Sequence, residues 1–274
     1  MKIFDTALGI KAGMIDITGP IGLVPTMGSL HEGHMSLVRR ACNENSATVV
    51  SIFVNPTQFA PADDYINYPR GIDSDLIKLE DAGVDLVFSP SKDEMYPVGF
   101  DSYVDVGCIG TRLEGISRPG HLRGVATVVC KLLSIIRPDR AYFGQKDAQQ
   151  GLVINRLNSD LNLGAEIVMC PTVREPDGLA FSSRNSYLSP MERKASIVLY
   201  RALSQAIGMT TADAREIRER VLSALQSEPM VEVDYVSVAN TETLEELYFL
   251  ERPALVSIAV RVGKTRLIDN CVIT

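Results

Sequence analysis

The chain is short of histidine, of paired cysteines, of long apolar runs and of excess basic charge, and each shortage removes a class of function. Lys and Arg number 27 against 34 Asp and Glu, a formal charge of -7. That balance argues against nonspecific nucleic-acid binding, which relies on basic surface. It leaves room for a small anionic substrate, because a local cluster of Arg, Lys and His outweighs the global charge. The longest apolar stretches, such as GVATVVCKLLSII, are cut by Lys131 and fall short of the ~20 residues a membrane helix needs. The opening MKIFDTALGIKAGMID carries Asp5, Lys11 and Asp16, which interrupt the apolar core a signal peptide requires. Cys42, Cys108, Cys130, Cys170 and Cys271 are scattered, odd in number and without a C-x-x-C pair. Reduced, mostly buried thiols in a cytoplasmic protein are the expectation. Low-complexity segments and internal repeats are also missing. What is present is 274 residues with a hydrophobic fraction of 46%, enough to fill one large domain or two modest ones.

Short apolar runs alternate with amphipathic stretches through the first two thirds. Residues 21–24, 48–54, 84–88, 140–143 and 166–169 read as strands. Residues 34–45, 72–81, 125–136 and 147–157 read as helices, the third ending at Arg137-Pro138. This order predicts an α/β fold, a Rossmann-like doubly wound parallel sheet. The character changes after about Pro171. Ser189-Pro190-Met191-Glu192 is a helix start, with Ser as N-cap, Pro at the first helical position and Glu at the third. That helix is expected to run to about residue 207, and another over about 212–226. VEVDYVSV and VSIAVRV alternate as half-exposed strands should, and Gly263-Lys264 turns into TRLIDNCVI. The expectation is a smaller C-terminal α+β domain over 177–274, after a nucleotide- and substrate-binding domain over 1–176.

Two of the three histidines, His31 and His34, lie in PTMGSLHEGHMSLVRR, just after the first clear strand. The first βα turn of an open α/β sheet is the usual nucleotide site. Backbone N–H groups and the helix dipole attract phosphate there. Gly28 and Gly33 allow close backbone approach. At i and i+3 the two imidazoles share one face of the first helical turn, placed to donate to phosphate oxygens and to stabilise charge growing on them. A structural role is the ordinary alternative for any one histidine. Zinc is a rival, but HEGH has the wrong spacing for H-E-x-x-H and no third ligand is evident, so no protein metal site is expected.

His31-Glu32-Gly33-His34 resembles the HIGH signature of the nucleotidyltransferase superfamily. VPTMGSLHEGH, SIFVNPTQF, YPR, RPGHLRGVATVV, YFGQKDAQQ and TVREPDGLAFSSRNSYLS follow in order and spacing similar to the pantothenate synthetase (pantoate–β-alanine ligase) family, most strongly over residues 20–190. The resemblance implies an ATP-dependent ligase joining (R)-pantoate to β-alanine through a pantoyl adenylate, releasing pyrophosphate and then AMP. It implies Mg²⁺ with the triphosphate, no nucleic-acid or membrane partner, and a homodimer. His34, His31, Lys146 and Arg184 would be catalytic. The nucleotide would also meet Met27, Gly28, Ser29, Leu30, Glu32 and Gly33 at the histidine turn. It would meet Gly144, Gln145 and Asp147 in the second motif, and Val173, Phe181, Ser182 and Ser183 in the third. Gln58 and Gln150 would hold pantoate, with Gln58 also at the β-alanine position.

Each motif has a plainer reading beside this one. Gln58 alone would be an exposed loop glutamine. Asn55 either stiffens the loop or touches ligand. Asp147 suits a helix first turn as well as an ATP site, and Gln149 is expected to face outward. Phe181 stands where methionine is common in relatives, and Leu122 where phenylalanine is. Arg118, His121 and Arg123 line a nucleotide exit, support structure or meet a subunit. Asp73, Asp75 and the Asp63–Asp64 pair are acidic candidates for Mg²⁺ or loop contacts, with a solvated charged face the leading expectation. Rival functions are a nucleotidyltransferase that makes no amide, a tRNA synthetase fragment, and a non-catalytic nucleotide sensor.

Overall fold

The computed structural model describes residues 1–59 and 62–274, and the side chains of 62–64 fall outside that description. The chain divides into two compact units. One comprises Met1–Gly144 and Gln150–Pro171, the other Gln145–Gln149 and Thr172–Thr274. The second unit thus takes in residues 145–149 and 172–176, which a linear boundary after 176 would place in the first.

Among the described residues of the first unit, six parallel strands lie in the order β1-β4-β3-β2-β5-β6. They are β1 (Lys2–Phe4), β2 (Ile21–Thr26), β3 (Ala47–Ile52), β4 (Leu86–Phe88), β5 (Arg140–Gly144) and β6 (Glu166–Cys170). Val24, Val50, Val87 and Val168 form one core with Met35, Val38 and Ala41 of the Glu32–Glu44 helix. Their strand neighbours Leu23, Val49 and Leu86 are equally buried, so both faces of the sheet are covered, as a parallel sheet requires. The strand order reverses at β2, which pairs with β3 on one side and β5 on the other. Ligands of open α/β sheets bind at the carboxyl ends of the strands at such a point.

The short edge strand β1 pairs with β4 and carries no strand signal in the sequence, because three residues are too few to show a period. The helix expected from 125 begins a turn earlier, at His121. Its Gly124 has no room for a side chain: an added Cβ would lie 2.4 Å from the Thr57 carbonyl oxygen. This glycine lets the helix press against the Pro56–Gln58 turn.

In the second unit, β7 (Val231–Asn240), β8 (Ala254–Val262) and β9 (Thr265–Ile273) form an antiparallel sheet in that order. The Val198–Ile207 and Ala214–Gln226 helices pack on it through Leu199, Leu203, Ile217, Val221 and Leu225 against Val256, Ile258 and Val260. The single helix expected over 189–207 is two, Pro190–Ala195 and Val198–Ile207. The N-terminal capping box at Ser189 and Glu192 is present. β8 is not half-exposed: residues 254–260 are all buried, because it is the central strand and its alternate positions carry the small residues Ser257 and Ala259.

Candidate active site

β2 ends at Thr26, and the chain turns through Met27–Leu30 into the Glu32–Glu44 helix. Gly28 (φ +77°) and Ser29 (φ +52°) both take left-handed backbone conformations. For serine that conformation costs about 1–3 kcal/mol unless the surroundings enforce it. They do. The Ser29 N–H donates to Asp75 Oδ2 at 2.7 Å and the Leu30 N–H to Asp75 Oδ1 at 2.8 Å. Hydrogen bonds to a charged group contribute about 1.5–3 kcal/mol each, enough to offset the strain. Lys78 Nζ donates to the Leu30 carbonyl at 2.7 Å, and the Gly28 N–H donates to Thr26 Oγ1 at 3.2 Å. Asp75 is only 2% exposed, so the solvated setting expected for it is wrong. It sits four residues before the buried Leu79, on the inward stripe of the Ile72–Asp81 helix. Asp73 is exposed, and the side chains of Asp63 and Asp64 lie outside the described residues.

His31 is the N-cap of the Glu32–Glu44 helix and His34 its third residue. The rings stack with centroids 4.0 Å apart, tilted by 32°. His34 Nδ1 accepts the His31 backbone N–H at 3.4 Å. A nitrogen that accepts carries no proton, so the proton of the neutral ring lies on Nε2. Glu32 forms an ion pair with Arg39. The amides of residues 28–31 therefore donate to protein groups, and the phosphate-attracting backbone expected at this turn is already engaged.

Gln58 is 9% exposed, not a surface loop residue. Its Oε1 accepts from Asn55 Nδ2 at 3.0 Å and its Nε2 donates to Met27 Sδ at 3.2 Å, which brings it to the histidine turn. Asn55, 1% exposed, also donates to the Gly124 carbonyl and accepts from Thr57 Oγ1 and the Tyr96 hydroxyl. It stiffens the loop. His121 Nδ1 lies 2.9 Å from the Gln58 carbonyl oxygen and its Nε2 lies 3.0 Å from Arg118, while Arg123 pairs with Asp105. His121 thus supports the Gln58 turn. Leu122 is buried. Gly144 ends β5, and Gln150 is half-buried in the Ala148–Asp160 helix. Gln149 is 6% exposed and does not face outward; it lies one helical turn before the buried Val153.

In the second unit, Lys146, Ser182 and Arg184 line one pocket together with Arg266 and Asp269. Lys146 Nζ is 3.4 Å from Asp147 Oδ1. Its backbone is held from β9: Asn270 Nδ2 donates to the carbonyls of Gln145 and Lys146 at 2.9 and 2.8 Å, and Gln145 Nε2 donates to Asn270 Oδ1. Asp269, 2% exposed, takes both terminal nitrogens of Arg174 at 2.6 and 3.1 Å. The Val173 carbonyl accepts the Phe181 N–H at 3.1 Å, closing the loop that carries Ser182 and Ser183. Ser182 Oγ accepts the Arg184 N–H. Asn270 and Asp269 were missed in the sequence, whereas Asp75, a candidate there for Mg²⁺ or loop contacts, holds the loop. Two consecutive polar residues in the middle of TRLIDNCVI are the signal for the first pair, since they break a strand's alternation.

Among the described residues no group of three or more His, Cys, Asp or Glu side chains gathers as a metal cluster, and no helix is long and apolar enough to cross a membrane.

The family model described as pantoate-beta-alanine ligase matches residues 5–272. A pantothenate synthetase of Roseiflexus sp. (strain RS-1) is 55% identical over 100% of this chain and 99% of its own length. One from Dehalococcoides mccartyi (strain CBDB1) is 55% identical over 93% of this chain and 96% of its own. The crystal structure of pantothenate synthetase from Thermus thermophilus superimposes with a TM-score of 0.95 at 45% identity, covering 99% of both chains. The pantoate-beta-alanine ligase of Francisella tularensis, complexed with β-γ ATP and β-alanine, does so at 0.83 and 36% identity, covering 99% of this chain and 97% of its own. With the histidine turn, the buried Gln58 and the Lys146–Arg184 pocket borne on a frame matched from end to end, this chain belongs to the pantoate–β-alanine ligase family.

Proposed function

We propose that the chain condenses (R)-pantoate with β-alanine in two steps driven by ATP. The pantoate carboxylate attacks the α-phosphorus, the bond to the β-phosphate oxygen breaks, and pyrophosphate leaves. The deprotonated amine of β-alanine then attacks the carbonyl of pantoyl adenylate; the C–N bond forms and AMP departs. A carboxylate is already ionised at neutral pH, so the first step needs positioning and charge neutralisation rather than a base. The observation that carries this reading is the stacked His31–His34 pair at the carboxyl end of β2, at the sheet's reversal point.

In this reading His34 directs Nε2–H to the α-phosphate region and His31 meets the other phosphates. Lys146, as a point charge, and Arg184, as a planar fork, neutralise the triphosphate. The turn 27–34, with Gly144, Gln145, Asp147, Val173, Phe181, Ser182 and Ser183, binds the rest of ATP. Gln58 and Gln150 hold pantoate, and Gln58 also holds β-alanine. Mg²⁺ enters as part of the MgATP substrate, bound mainly by phosphate oxygens and water as this ion prefers. The ligands named for the Francisella complex support ATP and β-alanine as substrates.

The same proposal makes residues 177–274 a lid domain and the protein a cytoplasmic homodimer. The scattered cysteines support a reducing compartment. The test is an AMP assay with ATP, Mg²⁺, pantoate and β-alanine, each omitted in turn. AMP release is expected only with all four. Pyrophosphate release without β-alanine-dependent AMP would favour a nucleotidyltransferase instead.

A further inference from the structure

Successive N–H groups in a turn of left-handed residues form a concavity that binds an anion. The turn after β2 has that geometry, with Gly28 at φ +77° and Ser29 at φ +52°, and its anion is internal. Asp75 takes the Ser29 and Leu30 amides at 2.7 and 2.8 Å. The fit is close: a Cβ added to Gly28 would stand 3.1 Å from Asp75 Oδ2. Lys78, one turn further along the same helix, takes the Leu30 carbonyl at 2.7 Å. Both polar faces of the Leu30 peptide region are thereby held by one helix.

We propose that Asp75, with Lys78, is a positioning residue for the nucleotide-binding turn: its carboxylate fills the amide concavity, so that phosphate is met by the imidazoles of His31 and His34 rather than by the amides of Ser29 and Leu30. The inference rests on the reading of this turn as the ATP site. Without the clamp the left-handed Ser29 loses the carboxylate that takes its N–H, and the amides of 29 and 30 become a competing phosphate site. Asp75 touches neither substrate nor reacting atoms; it acts through the turn.

The test compares wild type with Asp75→Ala, Lys78→Met and Lys78→Arg in pantoate-dependent ATP–pyrophosphate exchange. Deuterium uptake by the peptide spanning residues 27–35 is followed alongside. Asp75→Ala is expected to raise the KM for ATP and lower the exchange kcat, each at least tenfold. The KM for pantoate should stay within twofold, and deuterium uptake at the turn should quicken while distant peptides keep their rates. Lys78→Met should move the same way less far, and Lys78→Arg, which keeps a donor for the Leu30 carbonyl, should recover to within twofold. A folded Asp75→Ala protein with ATP parameters within twofold of wild type, or with unchanged uptake at the turn, overturns the proposal. If that variant does not fold, Lys78→Met decides by the same criteria. A wild type that shows no pantoate-dependent exchange defeats the functional reading, and the deuterium measurement then still judges the clamp.

Discussion

His34 Nδ1 accepts the His31 backbone N–H, which orients the ring in the first turn of its helix. Removing one preorganised donor from a site of developing charge costs about 10²–10³ in kcat. His34→Ala should lower pantoate-dependent ATP–pyrophosphate exchange by that order, and near-normal exchange would refute its role. Gln58 is buried with its amide oriented by Asn55 and Met27. Gln58→Ala should raise the KM for pantoate about tenfold, the cost of roughly one hydrogen bond to a charged group, while the KM for ATP stays within about twofold. Cys271 has another kind of consequence. Burial pushes its thiol up to about 12, and nearby Asp269 adds to the shift. A raised folded pKa means the stabilisation is complete below the unfolded value and is lost as pH rises toward the folded one. Urea unfolding midpoints should therefore fall from about pH 9 upward, and Cys271→Ala should flatten that fall. An identical slope in the variant would show that other groups, such as Tyr142 at about 12, govern it.

At the scale of elements, local signals were legible where they were local in origin. The Ser189 capping box was readable because the cap, the proline and Glu192 are neighbours in sequence. Ser189→Ala should destabilise by about 1 kcal/mol, measured as a lower unfolding midpoint for the second unit. The three-residue β1 was illegible, and so was the break at Ser196–Ile197 that divides one apolar stripe into two helices. β9 held the larger surprise. It reads as a hairpin strand, yet its Asn270 fixes the backbone of Gln145 and Lys146. Asn270→Ala should weaken ATP binding several-fold through Lys146, and adding Asn270→Ala to Lys146→Ala should weaken it little further, since groups acting through one another are not additive. Full additivity in the double variant would separate the two.

At the scale of the molecule, the chain supplies phosphate-binding candidates from both compact units: His31 and His34 from the first, Lys146 and Arg184 from the second. The proposed lid function of residues 177–274 makes a measurable demand. Small-angle scattering should report a smaller radius of gyration with ATP and pantoate together than without them, and equal values would count against the lid. Sedimentation should give twice the mass of the 29.9 kDa chain if the proposed homodimer forms.

The sequence by itself determined the alternation of elements, the parallel sheet, the family and the motifs that carry its chemistry, because periodicity, caps and motif spacing are written in neighbouring residues. Only the tertiary structure decided which amides remain for a ligand and which side chains hold the motifs in place. Asp75 meets the turn across 45 and 46 residues, and Asn270 meets Gln145 and Lys146 across 125 and 124. A carboxylate on a helix or an asparagine in a strand looks the same in the sequence whether water or a distant peptide bond completes its hydrogen bonds.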